Sequence, residues 1–359
     1  MNVTVVGAGN IGTQFAVHCA EKGHQVIVYG SRPERIHKHL SIIDENGILI
    51  HEGEIVQATD DSEIAFSNAH VVFVTMPAYC MEDIAEIIYP FAHNGMKIGL
   101  IPGTGGGECA FKRCMEKGCI IFGLQRVPSV ARLKEYGKVV CATGYRSELH
   151  IAALPQYYTE ESSALVSELF NMPCVALPNY LNITLTPSNP ILHTTRLRIL
   201  FEDFKDGVGY GRIPLFYEEW DNRSSELLIQ CDDEVQKICN ALDRFDLSYV
   251  KSLKIHYESD TPQQLTKKIS SIKGFKGLKT PMIEKNGTYI PDLDSRYFTA
   301  DFPFGLAILV QIAELVDVDV PYMKKTLQWY HRIDDTRKMF EFKKFGIVCL
   351  EEFISFYNQ

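Results

Sequence analysis

The sequence predicts an α/β chain, with a doubly wound parallel sheet in its first half followed by an all-helical domain. Three observations carry this. Up to residue 177, short apolar runs bounded by glycine alternate with helical stretches, the rhythm of parallel βαβ units. From Pro178 onward strand-like runs become few and helical periodicity dominates. At 359 residues the chain exceeds one ordinary core, so that change reads as a domain boundary dividing 1–177 from 178–359.

Asn2–Val6 reads as a short buried strand, Ile11–Glu21 as a helix and Gln25–Tyr29 as a second strand. Ile48–Ile55 looks like a hairpin insertion, flanked and broken by Gly47 and Gly53. His70–Thr75 is a strand ending in Met76-Pro77-Ala78, and Lys97–Ile101 is another, ending in Pro102-Gly103-Thr104-Gly105-Gly106-Gly107. Further strands are expected at Ile120–Leu124, Lys138–Thr143 and Cys174–Leu177. In the second half, helices are expected over Pro190–Asp206, Glu219–Phe245, Thr261–Ile272, Pro303–Val316 and Pro321–Ile333. Gly274–Pro291, rich in glycine, lysine and proline, reads as a loop.

Composition narrows the function classes. Apolar residues make up 46% and charged residues 23%, the proportions of a globular protein rather than a disordered one. A net charge of −9 gives no reason to expect nucleic acid or an anionic membrane as partner. The ten cysteines show no CxxC pair and no His-rich ligand spacing, so they read as reduced thiols in a cytoplasmic setting, with no disulfide scaffold and no metal site. No run approaches eighteen uncharged apolar residues, and no basic stretch precedes the opening apolar run. Neither a membrane span nor a signal peptide is expected.

Gly7-Ala8-Gly9-Asn10-Ile11-Gly12 is a GxGxxG between the first strand and the first helix. The first glycine permits the tight turn, the second lets backbone approach a pyrophosphate and the third lets helix pack on strand. The helix start offers free N–H groups to the phosphates. In this position the motif predicts a Rossmann dinucleotide site formed by Gly7, Ala8, Gly9, Asn10, Ile11 and Gly12. After the second strand, where a site for NAD usually has an acid, stand Gly30, Ser31, Arg32 and, further on, Arg35. A hydroxyl and two guanidiniums suit a 2′-phosphate, so NADPH is expected over NADH. Alternatively Arg32 and Arg35 are solvated residues paired with Glu34. Pro77 and Ala78, at a strand's carboxyl end, are expected to line the cofactor.

In the second half, Ser188-Asn189-Pro190 and Asp301-Phe302-Pro303 each open a helix, and His193 lies in the first turn of one. Asn189 and Asp301 can be plain caps and His193 a plain buried histidine. Together they also make an acid–base pair: a histidine that passes protons needs a carboxylate to fix its tautomer, and Asp301 can supply it. Arg296, five residues before Asp301 in a segment that reads as extended, is suited to clamp a carboxylate; otherwise it forms a surface salt bridge with Asp292 or Asp294.

In these segments the chain resembles the opine dehydrogenases, the octopine/nopaline group, and the likeness runs over nearly its whole length. The specific marks are Asn189-Pro190-Ile191-Leu192-His193 and Arg296-Tyr297-Phe298-Thr299-Ala300-Asp301-Phe302-Pro303, with Val74-Thr75-Met76-Pro77-Ala78 and Pro102–Gly107 in support. The resemblance implies that His193 and Asp301 run the proton chemistry and that Arg296 binds substrate, with Asn189 and Arg132 further substrate-binding residues. It implies reductive condensation of an amino acid's amine with an α-keto acid, often pyruvate, to a secondary-amine dicarboxylate, with NAD(P)H as reductant. A homodimer is compatible with it. This chain departs from the family at Ala300, where Glu is common, at Thr194, where proline often follows the histidine, and at Ala131, which stands before Arg132 in place of a cysteine. The changes leave the His–Asp pair intact and bear on which amine is used.

Two other readings stay open. A 2-dehydropantoate reductase shares the domain plan but depends on a lysine early in its helical domain, and none lies between Leu177 and Leu200. A catalytically silent NADP-binding sensor needs no dyad. The aromatic cluster Tyr210, Phe216, Tyr217 and Trp220 reads as helix–helix packing before it reads as a pocket wall. Lys276 and Lys279 read as solvated surface.

Overall fold

The structure, a computed structural model, describes every residue from Met1 to Gln359 except Asp206. It divides into two units, Met1–Thr184 with Ile354–Gln359, and Leu185–Phe353. The boundary expected after 177 therefore falls too early, and the last residues return to the first unit. Side chains far apart in sequence explain this. The Tyr180 hydroxyl donates to the Gly103 carbonyl at 3.0 Å. Thr184 and Tyr357 both donate to Oε1 of the buried Glu108, at 2.7 and 2.8 Å.

The first unit contains β1 (Asn2–Val6), β2 (Gln25–Tyr29), β3 (His39–Ile43), β4 (Leu49–Glu54), β5 (Gln57–Thr59) and β6 (Val71–Val74). It continues with β7 (Lys97–Leu100), β8 (Ile120–Leu124), β9 (Val130–Glu135), β10 (Val139–Thr143), β11 (Leu149–Leu154) and β12 (Cys174–Ala176). Eight of these form one sheet in the order β12-β11-β8-β7-β6-β1-β2-β5. From β8 to β5 the pairing is parallel, as expected; β11 then runs antiparallel to β8, so the sheet is mixed at one end. Alternate residues of β6 enter opposite cores. Val71 and Phe73 pack with Phe15 and Val17, and Val72 and Val74 with Phe66, Ile84 and Ile88.

The expected hairpin at 48–55 is β4, and its partner is β3, in a second sheet ordered β4-β3-β10-β9. Asp44 builds the turn by accepting N–H bonds from Asn46 and Ile48, and Gly47 takes φ +82°. Four strands had weak signals. β5 is three residues long, β9 is mostly exposed and charged, and His39 and His150 interrupt the apolar runs of β3 and β11.

The second unit holds helices Asn189–Leu200, Asn222–Ala241, Pro262–Ser271 and Pro321–Ile333. The helix expected over Pro190–Asp206 stops at Leu200; Asp206 lies outside the described residues. The domain is not all-helical, because the stretch expected as a loop contains the hairpin β13 (Met282–Lys285) and β14 (Thr288–Pro291). Its turn is Asn286-Gly287 with both φ positive, the two-residue turn that suits twisted strands. The segment around Arg296 is not extended either. Arg296–Thr299 is a short helix, followed by a π-helical turn at Phe302–Leu306 and the helix Ala307–Leu315. By length and composition alone the run Arg296–Leu315 could cross a membrane, against expectation. Two-thirds of it is buried in the protein, with Phe298, Phe302, Leu306 and Ile312 in the core.

Candidate active site

In the first unit the glycine motif forms a cradle that side chains would close. Gly7 takes φ +99°, and a Cβ on Gly12 would sit 1.8 Å from the Gly7 carbonyl oxygen. A Cβ on Gly9 would meet nothing within 4 Å, which leaves the approach open on that side. The helix starts at Asn10 with no side-chain cap, so its first N–H groups are presented to whatever lies before them. Ala8 is buried and Ile11 half-buried. The Asn10 side chain is occupied structurally, its Oδ1 accepting the Leu133 N–H at 2.8 Å. Pro77 and Ala78 are half-buried just past the end of β6, beside Thr75, whose hydroxyl donates to the Val6 carbonyl.

Ser31, Arg32 and Arg35 are exposed beyond β2. Both guanidiniums lie over the ring of Tyr136, at 4.9 and 5.1 Å from its centroid. Among the described residues neither has an ion-pair partner, Glu34 included. Tyr136, in the β9–β10 turn, carried no sequence signal. Arg132 is exposed on β9, opposite Cys141, and donates to the neighbouring Ala131 carbonyl at 2.9 Å.

In the second unit the two residues expected to form a pair come together. His193 Nδ1 lies 2.7 Å from Asp301 Oδ2, although 108 residues separate them. The imidazole is buried, with 9% of its side chain exposed, and the carboxylate keeps 16%. Asp301 stands at the N-cap position of the π-helical turn, yet its side chain makes no capping bond and goes to His193 instead. Gly305 permits the approach: a Cβ there would lie 2.9 Å from Cβ and Cγ of Pro190, at the start of the histidine helix. A carboxylate only accepts, so Nδ1 carries the hydrogen and Nε2 is left as acceptor. Nε2 is taken by the Tyr217 hydroxyl at 2.7 Å. Tyr297 covers the ring, with centroids 4.3 Å apart, and Phe216 meets its edge at 5.6 Å. Burial pushes the Tyr217 phenol well above the ordinary tyrosine range.

Arg296 opens the short helix before Asp301 and is exposed. Among the described residues it has no salt bridge; Asp294, one expected alternative partner, pairs with Arg337. Asn189 is exposed as the first residue of its helix, and Ser188 is the N-cap. The aromatic cluster splits. Tyr210 pairs with Tyr289 through backbone and Trp220 donates to Ser225, as packing residues do, whereas Tyr217 reaches the dyad. Tyr217 packs as expected, against Phe275 and Trp220, and in addition meets His193; in the sequence only its place beside Arg296 marks Tyr297. Lys276 and Lys279 are exposed, the latter bridged to Leu215.

Among the described residues one trio has metal-ligand spacing, His18, Glu21 and His51 in the first unit. Glu21 is already engaged by His51 Nδ1, at 2.8 and 3.1 Å. Burial, with His51 and Lys22 nearby, pushes His18 down to about 3. We read the trio as a hydrogen-bonded His51–Glu21 pair beside a neutral packed His18.

Residues 176–333 match the model of the NAD/NADP octopine/nopaline dehydrogenase alpha-helical domain, and residues 2–104 match the NAD-dependent glycerol-3-phosphate dehydrogenase N-terminus. Octopine dehydrogenase of Mizuhopecten yessoensis is 26% identical over 359 residues, spanning 92% of this chain and 89% of the relative. The match assigns the helical half of the chain to the octopine/nopaline dehydrogenase domain family. It is a family of NAD(P)-dependent oxidoreductases acting on CH–NH donors. Tauropine dehydrogenase of Arabella iricolor is 24% identical over 295 residues, covering 77% of this chain and 74% of the relative. An octopine dehydrogenase solved with NADH and L-arginine matches in fold, with a TM-score of 0.86 over 99% of this chain and 98% of that one, at 23% identity.

Proposed function

We propose that this protein condenses an amino acid's amine with a pyruvate-like α-keto acid and reduces the product to a secondary-amine dicarboxylate. The observation that carries it is the 2.7 Å bond between His193 and Asp301. An imidazole oriented by a carboxylate in a buried aromatic pocket is an acid–base group, not a helix cap. Asp301 holds Nδ1–H, so protons enter and leave through Nε2. Arg296, unpaired and one helical residue from the ring that covers His193, would hold a keto-acid carboxylate. Asn189 and Arg132 are proposed as further substrate contacts.

The first unit is proposed as the dinucleotide-binding domain and the second as the substrate domain. The cradle at Gly7–Gly12 with Pro77 and Ala78 fits a dinucleotide, which when bound supplies the hydride. NADPH is preferred on this reading, because Ser31, Arg32 and Arg35 offer a hydroxyl and two unpaired guanidiniums for the 2′-phosphate. The octopine dehydrogenase above holds NADH, so the preference has to be measured. A cytoplasmic location is proposed with it, in keeping with ten cysteines that form no disulfide among the described residues.

The test is oxidation of NADPH and of NADH with pyruvate across the twenty common amino acids, with mass spectrometry of the product. Turnover to an N-carboxyethyl amino acid is expected. Cofactor binding without turnover on any amine would instead favour a silent sensor.

A further inference from the structure

We infer that protons pass between His193 and the substrate through the Tyr217 hydroxyl, which makes Tyr217 a third catalytic residue. The inference deepens the function proposed above and rests on it.

Both imidazole nitrogens are occupied. Nδ1 faces Asp301 and Nε2 faces Tyr217, each at 2.7 Å, so no substrate atom meets Nε2 while the phenol is in place. The phenol is held there. Its ring stacks on Phe275 at 4.1 Å between centroids and 20° between planes. The backbone of the preceding residue is clamped at both its N–H and its carbonyl. The Phe216 N–H donates to the Leu278 carbonyl at 2.8 Å, and Arg196 Nε donates to the Phe216 carbonyl at 3.2 Å. Arg196, itself buried, also holds Asp221 and Ser224 at 2.9 and 3.0 Å. His193 and Arg196 stand three residues apart on one helix, so the element that carries the base also fixes the segment that carries the phenol. Tyr217 also interacts with Tyr297, which is half-buried, follows Arg296 and covers the imidazole ring. The Tyr217 hydroxyl therefore contacts both the imidazole and Tyr297, the residue next to Arg296 in the chain.

The step balances as follows. In the carbinolamine formed from amine and keto acid, the C–O bond breaks as the oxygen takes the Tyr217 proton. Tyr217 takes the Nε2 proton of the His193 imidazolium in the same step. Water leaves, an iminium carbon remains, and His193 returns to its neutral form. The phenol is protonated before and after, in keeping with its burial.

The experiment uses the intact protein, pyruvate and whichever of the twenty amino acids gives turnover. In Tyr217→Phe, kcat is expected to fall about 10²-fold or more, with both KM values within about threefold. The proton inventory of kcat in mixed H₂O and D₂O, curved in the parent enzyme, is expected to become linear. Replacing Tyr217 with fluorotyrosine keeps the hydroxyl and should retain activity within about threefold, separating loss of the proton path from loss of fold. Full kcat in Tyr217→Phe while His193→Ala is inactive overturns the relay and leaves the dyad standing. Full kcat in both overturns the dyad and the relay with it.

Discussion

Asp301 has two uses open to it, as a helix cap or as the partner of an imidazole. It occupies a helix N-cap position and could accept N–H bonds there, as Asp221 does from Ser224 at the start of Asn222–Ala241. Instead it spends its carboxylate on His193. Asp301→Asn is therefore expected to lower kcat by about 10²–10⁴-fold while leaving the NADPH-induced rise in Tm intact. A loss of thermal stability without a change in kcat would return Asp301 to a capping role. Arg32 and Arg35 make a second residue-scale case. Each would give the 2′-phosphate one charge-assisted bond, so each Arg→Ala change should cost NADPH about tenfold or more in Kd. NADH binding should stay nearly constant, as read by nicotinamide fluorescence titration.

At the scale of elements, the site depends on two helix starts lying closer than side chains allow. Gly305→Ala would push the π-helical turn against Pro190, with a contact of 2.9 Å to relieve. Overpacking of this kind costs about 1–3 kcal/mol, and kcat should fall more than tenfold as His193 and Asp301 separate. Unchanged kinetics in that variant would show that the helix has room to move. The same elements explain what could be read beforehand. The GxGxxG, Asn189–His193 and Arg296–Pro303 are local signals, each a few residues long, and they were legible as a cradle and a pair. The Asn286-Gly287 turn was legible too but was lost in a stretch read only for its composition. Tyr217 could not be assigned, because nothing in Phe216-Tyr217 tells a packing ring from one whose hydroxyl ends on an imidazole. That distinction depends on Arg196 and Phe275, which hold the segment from outside it. Tyr136 is similar: a turn residue becomes a platform only when two arginines from elsewhere lie on it.

For the whole molecule, stability should depend on pH through a carboxyl that takes no part in the proposed chemistry. Asp232 is fully buried, and desolvation pushes it up to about 7 despite the Leu253 N–H it accepts at 2.7 Å. The native state thus holds a proton that the unfolded chain releases near pH 4, so this group makes stability fall as pH rises from about 4 to about 7, and adds no further loss above that. Asp232→Asn keeps an acceptor for Leu253 and removes the penalty, on the order of a few kcal/mol. Its Tm should exceed that of the parent protein at pH 8 by several degrees and match it near pH 4; equal gains at both pH values would contradict the assignment. The return of Ile354–Gln359 to the first unit has a consequence for biosynthesis. Glu108 receives one of its two hydrogen bonds from Tyr357, a residue the ribosome adds only after all of 185–353 has been made. The half that carries the glycine cradle is translated first and completed last, so a nascent chain stalled anywhere before Tyr357 exposes a nucleotide-binding half that still lacks one of its own internal braces.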